Sequence, residues 1–239
     1  MKRFCSISMA VLAAAVLSAC GGGGSEDAGS TTTYATQAAW NKLYSTGSHA
    51  WALSGTTTYQ PTSGGTSSYA TTATLALNPA ADAVFPANSV NAHVLQSTTT
   101  VTLAGSTSSA SNNWYLDANL LYMGSVDSDG YCEVSTQSAL PVANARIGNG
   151  GTLASFNTYE SCSAGAALVA TGSVAWSLES SGGQAYFCLN NQIGYVSGGS
   201  YTEKDCVAID TAGTIGSKAT ITATDVSTDG VASISLSSN

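Results

Sequence analysis

Tyr69-Ala-Thr-Thr-Ala-Thr-Leu-Ala-Leu77 decides the fold. Its odd positions carry Tyr69, Thr71, Ala73, Leu75 and Leu77, and Ala70, Thr72, Thr74 and Ala76 stand between them. A period of two places alternate side chains on opposite faces of an extended chain, so one face meets a core and the other meets water. The same alternation recurs at Thr99, Val101 and Leu103, at Val174, Trp176 and Leu178, at Ala219, Ile221 and Ala223, and at Ala232, Ile234 and Leu236. Asp129-Gly130 and Asp229-Gly230 are hairpin-turn pairs. Ser63-Gly-Gly65, Asn78-Pro79, Gly148-Asn-Gly-Gly151, Ser181-Gly-Gly183 and Ser197-Gly-Gly199 are further breaks. These signals predict about ten to twelve antiparallel strands. One helix is predicted over Tyr34–Tyr44, because Trp40, Leu43 and Tyr44 share a helical face and Gly47 would end it. The class is all-β: an antiparallel sandwich or a curved open half-barrel, with one short N-terminal helix and disulfide staples.

The cysteines agree with an exported protein. Of six, Cys5 and Cys20 stand near the N-terminus, which leaves Cys132, Cys162, Cys188 and Cys206. An even number in an oxidising compartment predicts two disulfides, of three possible connectivities. Cys132–Cys162 and Cys188–Cys206 are favoured, because each pair joins neighbours along an antiparallel meander. Closing the second, shorter loop is worth about 3 kcal/mol on the chain-entropy model. A four-cysteine zinc site is disfavoured, since no C-x-x-C pair occurs. Cys162, Trp176 and Cys188 do not make an immunoglobulin pattern either, because only 25 residues separate the two cysteines.

The first residues are a targeting segment. Lys2 and Arg3 precede an apolar run, Ile7 to Ala19, that is too short for the roughly 20 residues of a membrane span. The run ends in Leu17-Ser18-Ala19-Cys20. This stretch resembles the cleavage box of bacterial lipoprotein precursors. The resemblance covers about the first 25 residues of the chain. It implies cleavage before Cys20, a diacylglycerol thioether on Cys20 Sγ and an acylated amino group, with palmitate-type chains as the membrane anchor; several chains hold a protein stably. Gly21 stands where an aspartate would imply retention in the inner membrane, so the resemblance implies the outer membrane, at its periplasmic face or the cell surface. The expected organisation is a signal peptide over 1–19, a flexible lipidated tether over 20–33 and a β-rich domain over 34–239. Two sub-units within that domain would meet near 125–130, and Ala50-Trp-Ala-Leu53 is weakly echoed by Ala175-Trp-Ser-Leu178.

Charge narrows the partners. Charged residues are 8% of the chain, against about 25% in an average soluble domain. Loss of Lys2 and Arg3 takes the formal net charge from −8 to −10. Lys42, Arg146, Lys204 and Lys218 are scattered, so nucleic acid is excluded as a partner.

Catalytic patterns are scarce. No G-x-S-x-G occurs, and His49 and His93 are the only histidines. The two could meet at a metal, but the commoner arrangement is a strand-start histidine bonded to backbone. Asp127, Asp129 and Glu133 resemble part of a calcium loop, against the plainer reading of an Asp-Gly hairpin turn. Trp114, Tyr115, Tyr122 and Tyr131 cluster around one expected hairpin and would suit a binding surface if exposed; such residues are more often core. No motif fixes a carboxylate pair for glycoside hydrolysis. No cofactor and no metal are expected. Three functions follow: a lipid-anchored envelope protein with a structural or binding β domain, a carrier of an apolar ligand or lipid in a β half-barrel, and a secreted hydrolase with an unidentified carboxylate pair.

Overall fold

A computed structural model describes residues 31–45 and 47–238. The signal segment, Cys20 and most of the tether lie outside these residues. Twelve strands follow one helix, α1 (Thr36–Ser45): β1 (His49–Pro61), β2 (Ser67–Phe85), β3 (Val90–Leu103), β4 (Ser106–Leu116), β5 (Tyr122–Asp127), β6 (Cys132–Ser138), β7 (Gly150–Tyr159), β8 (Leu168–Ser181), β9 (Gln184–Tyr195), β10 (Ser200–Ile209), β11 (Ile215–Ser227) and β12 (Gly230–Ser237). Each pairs antiparallel with its neighbours in sequence, and β12 returns to β1 with Ser54 opposite Ser237 and Pro61 opposite Gly230. The sheet is therefore a closed barrel. The sandwich and the open half-barrel are corrected. Closure leaves no free strand edge, which is its physical advantage over either. Residues 125–130 fall within the β5–β6 hairpin of this one continuous sheet.

An eight-stranded barrel is just wide enough for its own side chains to fill, and diameter grows with strand number. Twelve strands leave surplus space, and α1 takes part of it. The helix starts two residues later than the periodicity predicts, because Tyr34 pairs with Ala145 in an isolated bridge. It lies across the barrel end where the 117–121, 139–149 and 210–214 connections gather. The Trp40 indole N–H donates to the Leu120 carbonyl at 3.0 Å, and the Thr36 hydroxyl to the Val142 carbonyl at 2.6 Å. Gly213, at φ +68°, lets the β10–β11 turn pass against the first turn of the helix; a Cβ there would strike the Ala35 carbonyl. Trp40, Leu43 and Tyr44 are buried in one core cluster with Trp51, Leu95 and Phe187 from around the barrel.

The alternation read from the sequence maps onto the wall. Leu75, Leu95, Val101 and Ile221 point inward, while Thr72, Thr74, Thr100 and Thr102 point out. Hydroxyl pairs link strands on the outer face, as between Thr100 and Ser109 and between Thr102 and Thr107, both at 2.9 Å. The outer face of a lipid-spanning barrel carries an apolar band; here the outer face is rich in hydroxyls and the apolar side chains face in. A second small core sits on the outside, where the long β2–β3 hairpin bends at a bulge between Ala80 and Ala83. Phe85 and Tyr115 pack there with Val94 and Cys132. Cys132 is bonded to Cys162 and Cys188 to Cys206, the latter pair directly opposite each other on β9 and β10.

Candidate functional site

The barrel keeps a lumenal cavity of about 420 Å³. It runs from Leu43 and Tyr44, under the helix, to Ser128 and Tyr195 at the opposite rim. Near the helix its wall is apolar, built by Leu95, Phe187, Val207 and Leu236. Toward the rim it becomes polar. Strand β10 makes the change: Val207, Asp205, Glu203 and Tyr201 stand in one inward column at every second residue. Asp225 lies opposite Tyr201 on β11, and Asn191 opposite Glu203 on β9. Glu133 and Asp127 complete the acidic lining.

Five carboxylates thus face the lumen, and none of Lys42, Arg146, Lys204 or Lys218 lines it. Lys204 points outward to Glu179 at 2.9 Å, and Lys42 donates to the Ala212 carbonyl at 3.0 Å outside the lumen. Burial dominates the protonation of these acids. Burial first, then the charge of Glu203, pushes the Asp205 carboxyl well above the ordinary carboxylate range. Burial raises Glu203 too, while a hydrogen bond from the Tyr201 hydroxyl draws it back. Asp225 rises through burial, and with burial it pushes the Tyr195 phenol up to about 12. Glu133 is raised by burial and drawn back by two donors, the Tyr122 hydroxyl at 2.7 Å and the Ser125 hydroxyl at 3.1 Å. Asp127 is raised chiefly by burial.

These shifts fix a pH dependence. Each raised acid keeps its proton when folded at a pH where the unfolded chain has lost it. Its contribution to stability is therefore full below the ordinary carboxylate range and is lost as pH rises through the raised value. Glu179, lowered by Lys204 and Ser177 against the effect of burial, acts in the opposite sense, as does Asp210. The five raised acids outnumber these two. Thermal melts of the ligand-free barrel should give a higher Tm at about pH 5 than at about pH 7.5, both above the ordinary value of an exposed carboxyl; an equal or lower Tm at the acid end would contradict the lumenal placement of the acids.

The residues singled out in the sequence are dispersed. Asp127 Oδ1 accepts the backbone N–H groups of Asp129 and Tyr131 at 3.0 and 2.9 Å, which makes it the brace of the β5–β6 turn. Glu133 points away into the lumen. Among the described residues, the one trio of ligand-type atoms gathered within 4.8 Å is Glu179, Cys188 and Cys206, and its sulfurs are bonded to each other. The calcium-loop reading of Asp127, Asp129 and Glu133 thus finds no convergence here. His49 stacks on Trp51 with its Nε2 3.3 Å from the Lys42 carbonyl, and His93 pairs with Asp82 at 2.9 Å; the two share no partner. Of the aromatic set, Trp114 and Tyr122 lie in the lumen in edge contact at 5.4 Å, Tyr115 packs on Phe85 outside at 4.8 Å, and Tyr131 stays in the turn.

Glu203, Asp205, Asp225 and Tyr201 were not singled out. A signal existed: in Tyr201-Thr-Glu-Lys-Asp-Cys-Val207 the acids share the phase of Val207. The outward phase carries Thr202 and Lys204, so both faces of β10 are polar at this level and no apolar alternation marks it.

Comparison with protein-family models, with curated protein sequences and with solved structures finds no match.

Proposed function

We propose that this chain is a lipid-anchored protein of the bacterial cell envelope, most naturally the outer membrane, whose barrel binds a small, partly apolar ligand in its lumen. The lipoprotein-like segment ending at Cys20 supports the anchor. The cavity supports the binding role, and it is the observation that carries the reading. Protein interiors are ordinarily close-packed. The lumen of about 420 Å³ opens at the rim opposite α1 and is lined by polar groups on that side, so water or a ligand fills it. The size falls in the range of small-molecule sites, and an apolar wall with a few placed polar groups is their usual lining. The half-barrel carrier envisaged from sequence becomes a closed barrel, loaded from the rim opposite α1.

Native mass spectrometry of the protein drawn from its own envelope tests this. One small molecule per chain is the expected result. A barrel that carries only water, and takes up nothing from an envelope extract, would contradict it.

A second reading, a hydrolase, draws support from Glu203 and Asp205, two half-buried acids that face the lumen from alternate positions of β10, as in general acid–base pairs. Turnover in a glycoside-hydrolase screen that Asp205→Asn abolishes would favour it over carriage.

A further inference from the structure

The chemistry of the lumen narrows the ligand. Among the described residues, seven buried side-chain polar atoms have no hydrogen-bond partner, and five of them belong to residues lining this cavity. Four are acceptor oxygens, the Oδ1 atoms of Asn112, Asn191, Asp205 and Asp225; Trp114 Nε1 is the donor. Asp205 as a residue is half-buried, but its Oδ1 is withdrawn from solvent and has no hydrogen-bond partner within the chain. A buried carboxylate without a partner costs several kcal/mol unless it is neutralised or matched by a donor. The basic side chains all lie outside the lumen, so the chain supplies no cation to these acids.

We propose that the lumen takes a cationic amphiphile, an organic ammonium that donates to Asp205 and Glu203, adjacent in the inward column of β10, and whose apolar tail lies against Leu95, Phe187 and Leu236 beneath the helix. The proposal rests on the lumenal binding role above and specifies its ligand. A metal ion fits less well. It needs several oxygens around one point, and these acids do not gather within 4.8 Å as a trio. An ammonium needs fewer protein oxygens, with water on its remaining N–H, and Glu203 and Asp205 supply them at every second residue of β10. A neutral polyol could donate to the same oxygens but brings no positive charge to favour their ionised form in the lumen. An anion would meet five carboxylates and no cation.

The full chain carrying Cys20→Ala, loaded with the neutral reporter N-phenylnaphthylamine, is titrated at neutral pH with decylammonium, decanol and decanoate. Decylammonium should displace the reporter at a concentration roughly tenfold or more below decanol, as befits charge-assisted hydrogen bonds, and decanoate should be the weakest. In the double variant Glu203→Gln, Asp205→Asn, decylammonium should fall to within about threefold of decanol, a difference under 1 kcal/mol, while decanol competes as before. Retained decanol competition shows that the variant is folded. Equal competition by the three probes, preference for decanoate, or a cation preference that survives the double variant would overturn the inference and leave lumenal binding standing. Failure of the reporter itself to bind would overturn lumenal binding.

Discussion

Trp40→Ala is expected to lower the stability of the barrel by about 3–5 kcal/mol, the cost of truncating a fully buried tryptophan. The side chain is 1% exposed and anchors α1 across the end of the barrel. Its ring packs at a tilt against Tyr44, centroids 4.1 Å apart, and its N–H satisfies the Leu120 carbonyl. Truncation removes the packing and leaves that carbonyl without its donor. For a domain of this size the drop corresponds to a fall in Tm on the order of 10 °C. Trp40→Phe should recover much of the packing but not the hydrogen bond, and so fall between. Thermal denaturation followed by circular dichroism measures all three. A Trp40→Ala barrel that melts with the wild type would mean that the helix is not part of the core.

Cys20→Ala should release the protein from membranes while leaving the barrel intact. The predicted anchor is carried by this one sulfur and its amino group, and acyl chains supply the membrane affinity. Residues 31–45 and 47–238 build the fold without it, and both disulfides use other cysteines. Fractionation should move the variant wholly to the soluble pool, with an unchanged melting temperature. A variant that still sediments with membranes after the signal segment has been removed would contradict the lipoprotein reading.

Much of the wall was legible before the structure. The stretches around Leu75, Val101, Trp176, Ile221 and Leu236 announced their inward faces by simple alternation, and each of these residues is buried. Trp40, Leu43 and Tyr44 announced the buried face of α1, which lies two residues downstream of its expected start. Closure was not legible. It depends on the pairing of β1 with β12 from opposite ends of the barrel's sequence, as Ser54 opposite Ser237 shows. Alternation specifies which side of a strand is buried but not which strand lies beside it. The candidate site was hidden for another reason. An acid inside a barrel and an acid on its surface look alike in a strand whose other face is also polar. Glu203 and Glu179 make the contrast: one lines the lumen, the other pairs with Lys204 on the outer face.

Whether the lumen binds a ligand is tested most directly by one equilibrium titration, of the full chain carrying Cys20→Ala with N-phenylnaphthylamine, repeated after Ala223→Phe places a ring in the cavity that Ala223 lines. Saturable binding at one site per barrel, weakened roughly tenfold or more by the added ring at unchanged fold, is the expected result. Binding of equal strength in the two proteins would place the reporter elsewhere and contradict a ligand-binding lumen.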